Sequence, residues 1–204
     1  MKASRDYKKI GRSVIMTGFI ALKGTAILAE RYKDRIDERF PSYLSRNALL
    51  FGTGKDSSDF ERAKGIIKDH VKSFGEEFGE DSFAVEVKEG GFLTALYELA
   101  GQCSTGFELD LRAVPIRQET VEIAELLEVN PYHLYGEKCI VAIVPEGGAL
   151  LSKLSDEGIE ACLVGRTTDK KAHILHNDGT ESHLNRPEPD ELSRLGIETD
   201  AFNV

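Results

Sequence analysis

The stretch Phe83-Ala-Val-Glu-Val-Lys-Glu-Gly-Gly-Phe-Leu-Thr-Ala-Leu-Tyr-Glu-Leu-Ala100 changes its hydrophobic period halfway along. Apolar residues alternate from Phe83 to Val87, which predicts a short buried strand, and they follow helical spacing from Phe92 onward. The turn between them contains Gly90 and Gly91, which let the backbone approach another group closely and leave N–H groups that favour an anion. The alternative is a plain strand–helix connection whose glycines only satisfy steric needs.

A second unit of the same kind lies near the N-terminus. Within residues 13–20 the pattern predicts a strand that ends at Gly18. Residues 21–40 predict a helix, which Pro41 ends. The apolar positions of this helix recur every four residues, at Leu28, Tyr32, Ile36 and Phe40. The sequence therefore contains two strand–turn–helix units with glycine in the turn.

Composition bounds the class of protein. The chain has 204 residues, 41% of them hydrophobic and 30% charged, which is typical of one large globular domain. A net charge of −9 argues against general nucleic-acid binding, because that function needs a basic face. The run from Val14 to Leu28 is too polar for a membrane span, and the three cysteines lack metal-ligand spacing. We therefore expect a cytoplasmic protein with reduced thiols, without a nucleic-acid or membrane partner.

The remaining pattern predicts a mixed sheet covered by helices. Further strands are expected at 106–111, 138–145 and 159–165, and a hairpin around Asn177-Asp-Gly-Thr180. Helices are expected from Ser58 or Asp59 to Phe78, at 115–127 with Val121, Ala124 and Leu127 inward, and at 146–157. Residues 1–12 are expected to be a flexible lead-in, residues 13–186 the domain, and residues 187–204 a loosely attached tail with one short turn.

The other candidate sites are a loop, a group of histidines and a pair of carboxylates. The loop Gly52-Thr-Gly-Lys-Asp-Ser-Ser58 fails the phosphate-binding-loop pattern, because Asp56 follows the lysine and Leu49 takes the early glycine position. Three histidines, His173, His176 and His183, lie in the predicted hairpin. One interpretation is a zinc site in which His173 faces His183 across the strands, and the alternative is ordinary exposed histidines. Glu86 and Glu89 are candidate Mg²⁺ ligands or ordinary surface carboxylates.

Many segments, in fixed order from about residue 13 to 186, resemble the C-terminal domain of the aminoimidazole ribonucleotide (AIR) synthase-related family. That family includes AIR synthase (PurM), selenophosphate synthetase, thiamine-phosphate kinase and the hydrogenase maturation factor HypE, and the HypE type is the most similar. The segments that carry the resemblance are 17–30, 86–100, 106–111, 114–120, 125–134, 140–145 and 158–166.

The resemblance implies an α+β domain with a mixed sheet, and ATP with Mg²⁺ as the cofactor of the family. HypE-type members use ATP to dehydrate a carboxamide on a C-terminal cysteine to a nitrile. This sequence departs from that pattern in three ways. The 12 residues before the first matching strand cannot replace the family's N-terminal ATP-binding domain, and the chain ends at Val204 without a cysteine. Within the turn, only Glu89, Gly90 and Gly91 match, while the family's His, Asp and Thr are replaced by Val85, Glu86 and Lys88.

We therefore expect a stand-alone domain that is accessory or regulatory and has no catalytic residues of its own. The expected ligand is a nucleotide, a phosphate or a small metabolite, and Lys88 suits an anion better than Mg²⁺. One alternative is half of a split ATP-dependent synthetase or dehydratase, completed by a separate N-terminal-domain protein. Another is a structural homo-oligomer, because a domain without its usual neighbour exposes apolar surface. The candidate ligand-binding residues are Thr17, Gly18, Lys23, Gly24, Glu86, Lys88, Glu89, Gly90 and Gly91.

Overall fold

The protein is described by a computed structural model that covers residues 10–53, 55–75, 83–103 and 105–198. Seven strands in these residues form one sheet in the order β2-β4-β1-β5-β3-β6-β7. Neighbouring strands are antiparallel, except that β3 and β6 are parallel. The strands are β1 (Ser13–Thr17), β2 (Phe83–Glu86), β3 (Gly106–Asp110), β4 (Ile140–Val144), β5 (Ala161–Thr168), β6 (His173–Asn177) and β7 (Thr180–His183).

The described residues also form eight α-helices and two short 3-10 turns, Leu111–Ala113 and Pro131–His133. The mixed sheet and these helices confirm the predicted α+β fold. The helices are α1 (Leu22–Arg31), α2 (Lys33–Arg39), α3 (Tyr43–Ala48), α4 (Lys55–Ser73), α5 (Gly91–Gln102), α6 (Gln118–Leu127), α7 (Gly147–Asp156) and α8 (Glu191–Arg194). None of the described helices is long and apolar enough to cross a membrane.

Helices cover the two faces of the central strands and form two cores. On one face, side chains of α4 and α7 such as Ile67 and Leu154 pack with Ile15 of β1. On the other face, the larger core joins Met16 of β1 to side chains of α1, α5 and α6. Every residue of β1 and β4 is buried, which explains why both strands have continuous apolar runs instead of alternation.

The helix predicted at 21–40 is two helices, α1 and α2. The backbone leaves helical geometry at Tyr32, where φ is −115° and ψ is 25°. The four-residue spacing continues through the break, because the Ile36 N–H still donates to the Tyr32 carbonyl. In the charged helix α2, Ile36 is the one buried residue. The apolar period therefore located the buried face correctly and missed the change in backbone direction.

Two other helix predictions need correction. Helix α4 begins at Lys55, before the predicted start, and ends at Ser73, so Phe74 lies beyond it and is 46% exposed. Phe78, the predicted end, lies outside the described residues. In α6, Val121 is 45% exposed, so the prediction that it points inward is wrong. The polar Thr120 takes the buried place, because its hydroxyl accepts a hydrogen bond from the Thr25 hydroxyl at 3.0 Å.

The predicted hairpin is confirmed, with Asp178 and Gly179 both at positive φ in the turn between β6 and β7. Its register pairs His183 with Ile174, so the expectation that His173 faces His183 is wrong.

Both predicted end segments make contacts where they are described. The Gly11 N–H donates to the Thr167 carbonyl, whereas residues 1–9 lie outside the described residues. Within the predicted tail, Asp190 and Leu192 are buried, so residues 190–192 pack against the domain.

Candidate functional site

A pocket of about 130 Å³ lies at the carboxyl end of β1, beside the start of β5 and the first turns of α4. Thr17 and Gly18, two of the predicted ligand-binding residues, line it. Its other polar side chains come from distant parts of the chain, and they are Asp56, Asp59, Arg117, Lys138 and Glu160. Both acidic and basic groups therefore surround one small volume.

Thr17 supplies a buried polar atom to this pocket. The residue is 1% exposed, and its Oγ1 has no hydrogen-bond partner among the described residues. The chain then turns at Gly18, where φ is +75° and an added Cβ would lie 2.7 Å from the Lys138 carbonyl oxygen. Only glycine fits this close crossing without strain. The turn at Gly18 thus serves packing, while the hydroxyl before it is left for another group.

Two cations of the pocket are held against aromatic rings. The Arg117 guanidinium lies 3.8 Å from the centroid of the Phe19 ring, and the Lys138 ammonium lies 5.6 Å from that of Phe60. The Arg117 Nη2 is 3.5 Å from Asp56 Oδ1, whereas its Nε is buried without a partner in the described part of the chain. Arg117 therefore keeps hydrogen-bonding capacity that no described residue uses.

Sequence patterns did not predict Arg117, Lys138, Asp56 or Asp59 as site residues. Arg117 reaches the pocket because the segment before α6 runs beside the residues that follow β1, where the Ile20 N–H donates to the Pro115 carbonyl at 3.1 Å. Asp56 and Asp59 lie in the first turns of α4, which was expected to start later. No short motif joins positions 17, 56, 117 and 138, so local pattern could not have found the set.

Two other predicted glycines, Gly24 and Gly91, pack against the second 3-10 turn and the residues that follow it. The Gly24 N–H donates to the Tyr135 carbonyl at 2.8 Å, and an added Cβ there would lie 2.4 Å from Leu134 Cγ. At Gly91, φ is +71° and an added Cβ would lie 2.6 Å from the Tyr132 carbonyl oxygen. Both contacts support the steric explanation for these glycines.

The turn before α5 holds an anion from the chain itself. The Gly90 N–H donates to Asp190 Oδ2 at 2.8 Å, and the Gly91 N–H donates to the Lys88 carbonyl at 3.0 Å. The prediction of free N–H groups is therefore wrong at these two positions. Asp190 also accepts from the Leu192 N–H at 2.9 Å, yet burial raises the pKa of its carboxyl.

The remaining predicted charges lie near this turn or near Gly24, and none of them lines the pocket. The Lys88 ammonium is 3.7 Å from Glu86 Oε2, and the Lys23 ammonium is 3.8 Å from Glu137 Oε2. Glu89 is exposed. The structure thus divides the predicted ligand-binding residues between two places, and only Thr17 and Gly18 line the pocket.

His173 and Cys162, two side chains of metal-ligating type, pack inside the described part of the domain. No three His, Cys, Asp or Glu side chains there lie together as metal ligands would. The His173 ring lies 4.5 Å from the Phe107 ring, and burial lowers its pKa. The Cys162 thiol donates to the Ala113 carbonyl at 3.2 Å, and burial raises its pKa to about 11. This thiol is therefore protonated near neutral pH and is a poor nucleophile.

A family model and curated relatives both match this chain, and they indicate the same family. The family model for the AIR synthase related protein, C-terminal domain, matches residues 9–177. The carbamoyl dehydratase HypE of Rhizobium leguminosarum bv. viciae is 27% identical over 177 residues, which are 85% of this chain and 43% of that protein. The HypE of Rhodobacter capsulatus is 33% identical over 93 residues, which are 44% of this chain and 27% of that protein. The chain thus spans less than half the length of these curated relatives.

Solved structures agree on the fold. A crystal structure of the hydrogenase maturation protein HypE superimposes with a TM-score of 0.66 at 19% identity, covering 94% of this chain and 57% of that one. Thiamine monophosphate kinase from Aquifex aeolicus superimposes with a TM-score of 0.52 at 15% identity, covering 88% of this chain and 52% of that one. At such identities the likeness concerns the fold alone.

Proposed function

The chain belongs to the family of AIR synthase related proteins, as their C-terminal domain, and from this premise we propose that it is an accessory domain that binds a small phosphate-bearing molecule beside Thr17. One observation carries the proposal: the Thr17 hydroxyl and the Arg117 Nε are both buried at one pocket and lack partners among the described residues. Buried polar groups of folded proteins are nearly always hydrogen-bonded. A bound acceptor oxygen would satisfy both.

The chemistry of the lining favours an oxyanion. A guanidinium donates in a fixed planar geometry that matches the oxygens of phosphate or carboxylate, and a hydroxyl can add a third donor. Lys138 contributes a second positive charge to the same lining. The pocket volume of about 130 Å³ is below the range of drug-sized ligand sites. A phosphate group would therefore sit in the pocket, and the rest of a nucleotide would extend outside it.

The acidic residues of the pocket set a condition on the ligand. Asp59 and Glu160 lie in the lining with Asp56. These carboxylates repel a phosphate group in the same pocket, because both are negatively charged. A divalent cation carried by the ligand would offset that repulsion. We therefore expect nucleotide with Mg²⁺ to bind more tightly than nucleotide without it.

Titration calorimetry with ATP, ADP and inorganic phosphate, each with Mg²⁺ and with a chelator, tests the proposal. The variant Arg117→Gln should weaken binding about 10-fold to 100-fold, the usual loss for a hydrogen bond to a charged group. Arg112→Gln is the matched control, because Arg112 is an exposed arginine that pairs with Asp110 and Asp178 and does not line the pocket. Absence of heat with all three ligands overturns the proposal, as does equal loss of binding in both variants.

A second candidate function is one part of an ATP-dependent dehydratase whose other part is a separate polypeptide. The alignment with HypE favours it, because 85% of this chain matches only 43% of a protein named carbamoyl dehydratase. Affinity purification of the tagged chain from its native host tests this candidate. Co-purification of a protein that resembles the rest of HypE is expected, and recovery of the tagged chain alone contradicts it.

A further inference from the structure

A second cavity, of about 140 Å³, lies away from Thr17, between α5, β6 and β7. We call residues 184–188, which close it, the strap. Five of its lining side chains are aliphatic and come from four separate segments: Leu93, Leu111, Leu175, Leu184 and Pro187. The other lining side chains are polar, and they are His133, Ser182, His183, Asn185, Arg186 and Glu188. The size is close to that of the cavity of about 150 Å³ that binds benzene in the core of another protein. The cavity therefore suits one small ring.

Among the polar lining side chains, His133 has an unused hydrogen-bonding atom. Its side chain is 13% exposed, and its Nδ1 is buried without a hydrogen-bond partner among the described residues. Its Nε2 lies 3.8 Å from Glu188 Oε2 on the strap. A proton on Nε2, beside that carboxylate, leaves Nδ1 as an acceptor, since a neutral imidazole has one donor and one acceptor. A ligand with an N–H or O–H group would satisfy Nδ1.

The strap is held at both ends, so the cavity exists before a ligand arrives. At one end the Leu184 N–H donates to the His173 carbonyl at 3.0 Å. Beyond the other end, the Asp190 carboxylate accepts from the Gly90 N–H at 2.8 Å. A preformed cavity does not have to order its walls on binding, which lowers the free-energy cost of taking up a small ligand.

We propose that this cavity is a binding site for a small ring compound, of the size of benzene, that carries one N–H or O–H donor directed at His133 Nδ1. The five aliphatic side chains contact the ring, and the imidazole selects for the donor. The site shares no lining residue with the pocket at Thr17, so it does not depend on the function proposed above.

Phenol and benzene are the matched probes, because they differ by one hydroxyl group. Two-dimensional NMR of the intact chain, with ¹⁵N-labelled histidine, follows the His133 ring nitrogens during titration. Phenol should shift the Nδ1 resonance to a plateau, and benzene should bind about tenfold more weakly for want of one hydrogen bond. Absence of any saturable shift with phenol overturns the site, and equal affinity for both probes overturns the role of His133.

Two variants separate the cavity from general effects. Leu93→Phe adds volume to a half-buried wall position and should abolish phenol binding. Tyr97→Phe, one turn later in α5 and 40% exposed, is the control and should bind phenol as the parent does. Circular dichroism verifies that both variants are folded. If folded Leu93→Phe binds phenol with parental affinity, the ligand occupies some other place and the proposal fails.

Discussion

Two buried threonines show how a single hydroxyl distinguishes packing from a site. Thr25, at 0% exposure, donates its hydroxyl hydrogen to Thr120 Oγ1, which joins α1 to α6. Thr17, at 1% exposure, lies eight positions earlier and has no such partner in the described part of the chain. An unsatisfied buried hydroxyl costs about 1–3 kcal/mol. A ligand that hydrogen-bonds to Thr17 would remove this cost.

Valine substitution at the two threonines should therefore change stability in opposite directions. Thr17→Val removes an unsatisfied polar atom and should raise the free energy of unfolding by about 1 kcal/mol. Thr25→Val breaks the hydrogen bond between Thr25 and Thr120 and leaves the Thr120 hydroxyl without its donor. This variant should lower the free energy of unfolding by about 1–2 kcal/mol. Urea denaturation followed by circular dichroism measures both. A loss of stability in Thr17→Val as large as that in Thr25→Val would mean that the Thr17 hydroxyl is satisfied, and the ligand site would lose its main support.

Among the secondary-structure elements, short sequence patterns predicted the turns correctly. The hairpin follows from Asn177-Asp-Gly-Thr180, because Asp and Gly tolerate the positive φ of a tight turn. The glycine turns at 18 and 90 were also expected, and both have positive φ. Their partners were not predictable, since the Gly90 N–H bonds to a carboxylate 100 positions away. Long-range pairing of this kind leaves no trace in sequence spacing, and the same holds for Arg117 at the pocket.

Asp190 attaches helix α8 to the turn before α5, because its carboxylate accepts hydrogen bonds from the Leu192 and Gly90 N–H groups. Burial raises the pKa of Asp190 above its ordinary value of 3.8. A carboxyl with a raised pKa in the folded state stabilises the fold below its unfolded pKa, and this contribution is lost as pH rises through the folded pKa. Asn at position 190 does not titrate.

The stability difference between the parent and Asp190→Asn should therefore depend on pH. The parent should be most favoured relative to the variant at about pH 3, and its advantage should shrink as pH rises towards 7. Chemical denaturation of both proteins across this range gives the difference directly, and effects common to both cancel. An advantage that is constant, or that grows with pH, would contradict a raised pKa and would mean that the backbone hydrogen bonds outweigh burial.

For the whole molecule, the central strands tie two cores into one unit. Ile15 belongs to the core under α4 and α7, and Met16, the next residue, belongs to the core under α1, α5 and α6. The pocket at Thr17 lies where this shared strand ends, with linings from α4 and from the segment before α6. Neither core can lose β1 without exposing the other, so the sheet and both helical layers should unfold together.

Matched substitutions in the two cores test this coupling. Ile67 in α4 is 0% exposed and Ile123 in α6 is 1% exposed, so Ile67→Val and Ile123→Val each delete one buried methylene. Each should lower the free energy of unfolding by about 0.5–1.5 kcal/mol. Both should move one common transition, seen equally by circular dichroism and by the fluorescence of tyrosines such as Tyr132 and Tyr135, which contact the core that contains Ile123. The informative variant is Ile67→Val, because its methylene lies on the other face of the sheet. If it leaves the tyrosine transition in place and splits the circular dichroism curve, the two cores unfold separately and β1 does not couple them.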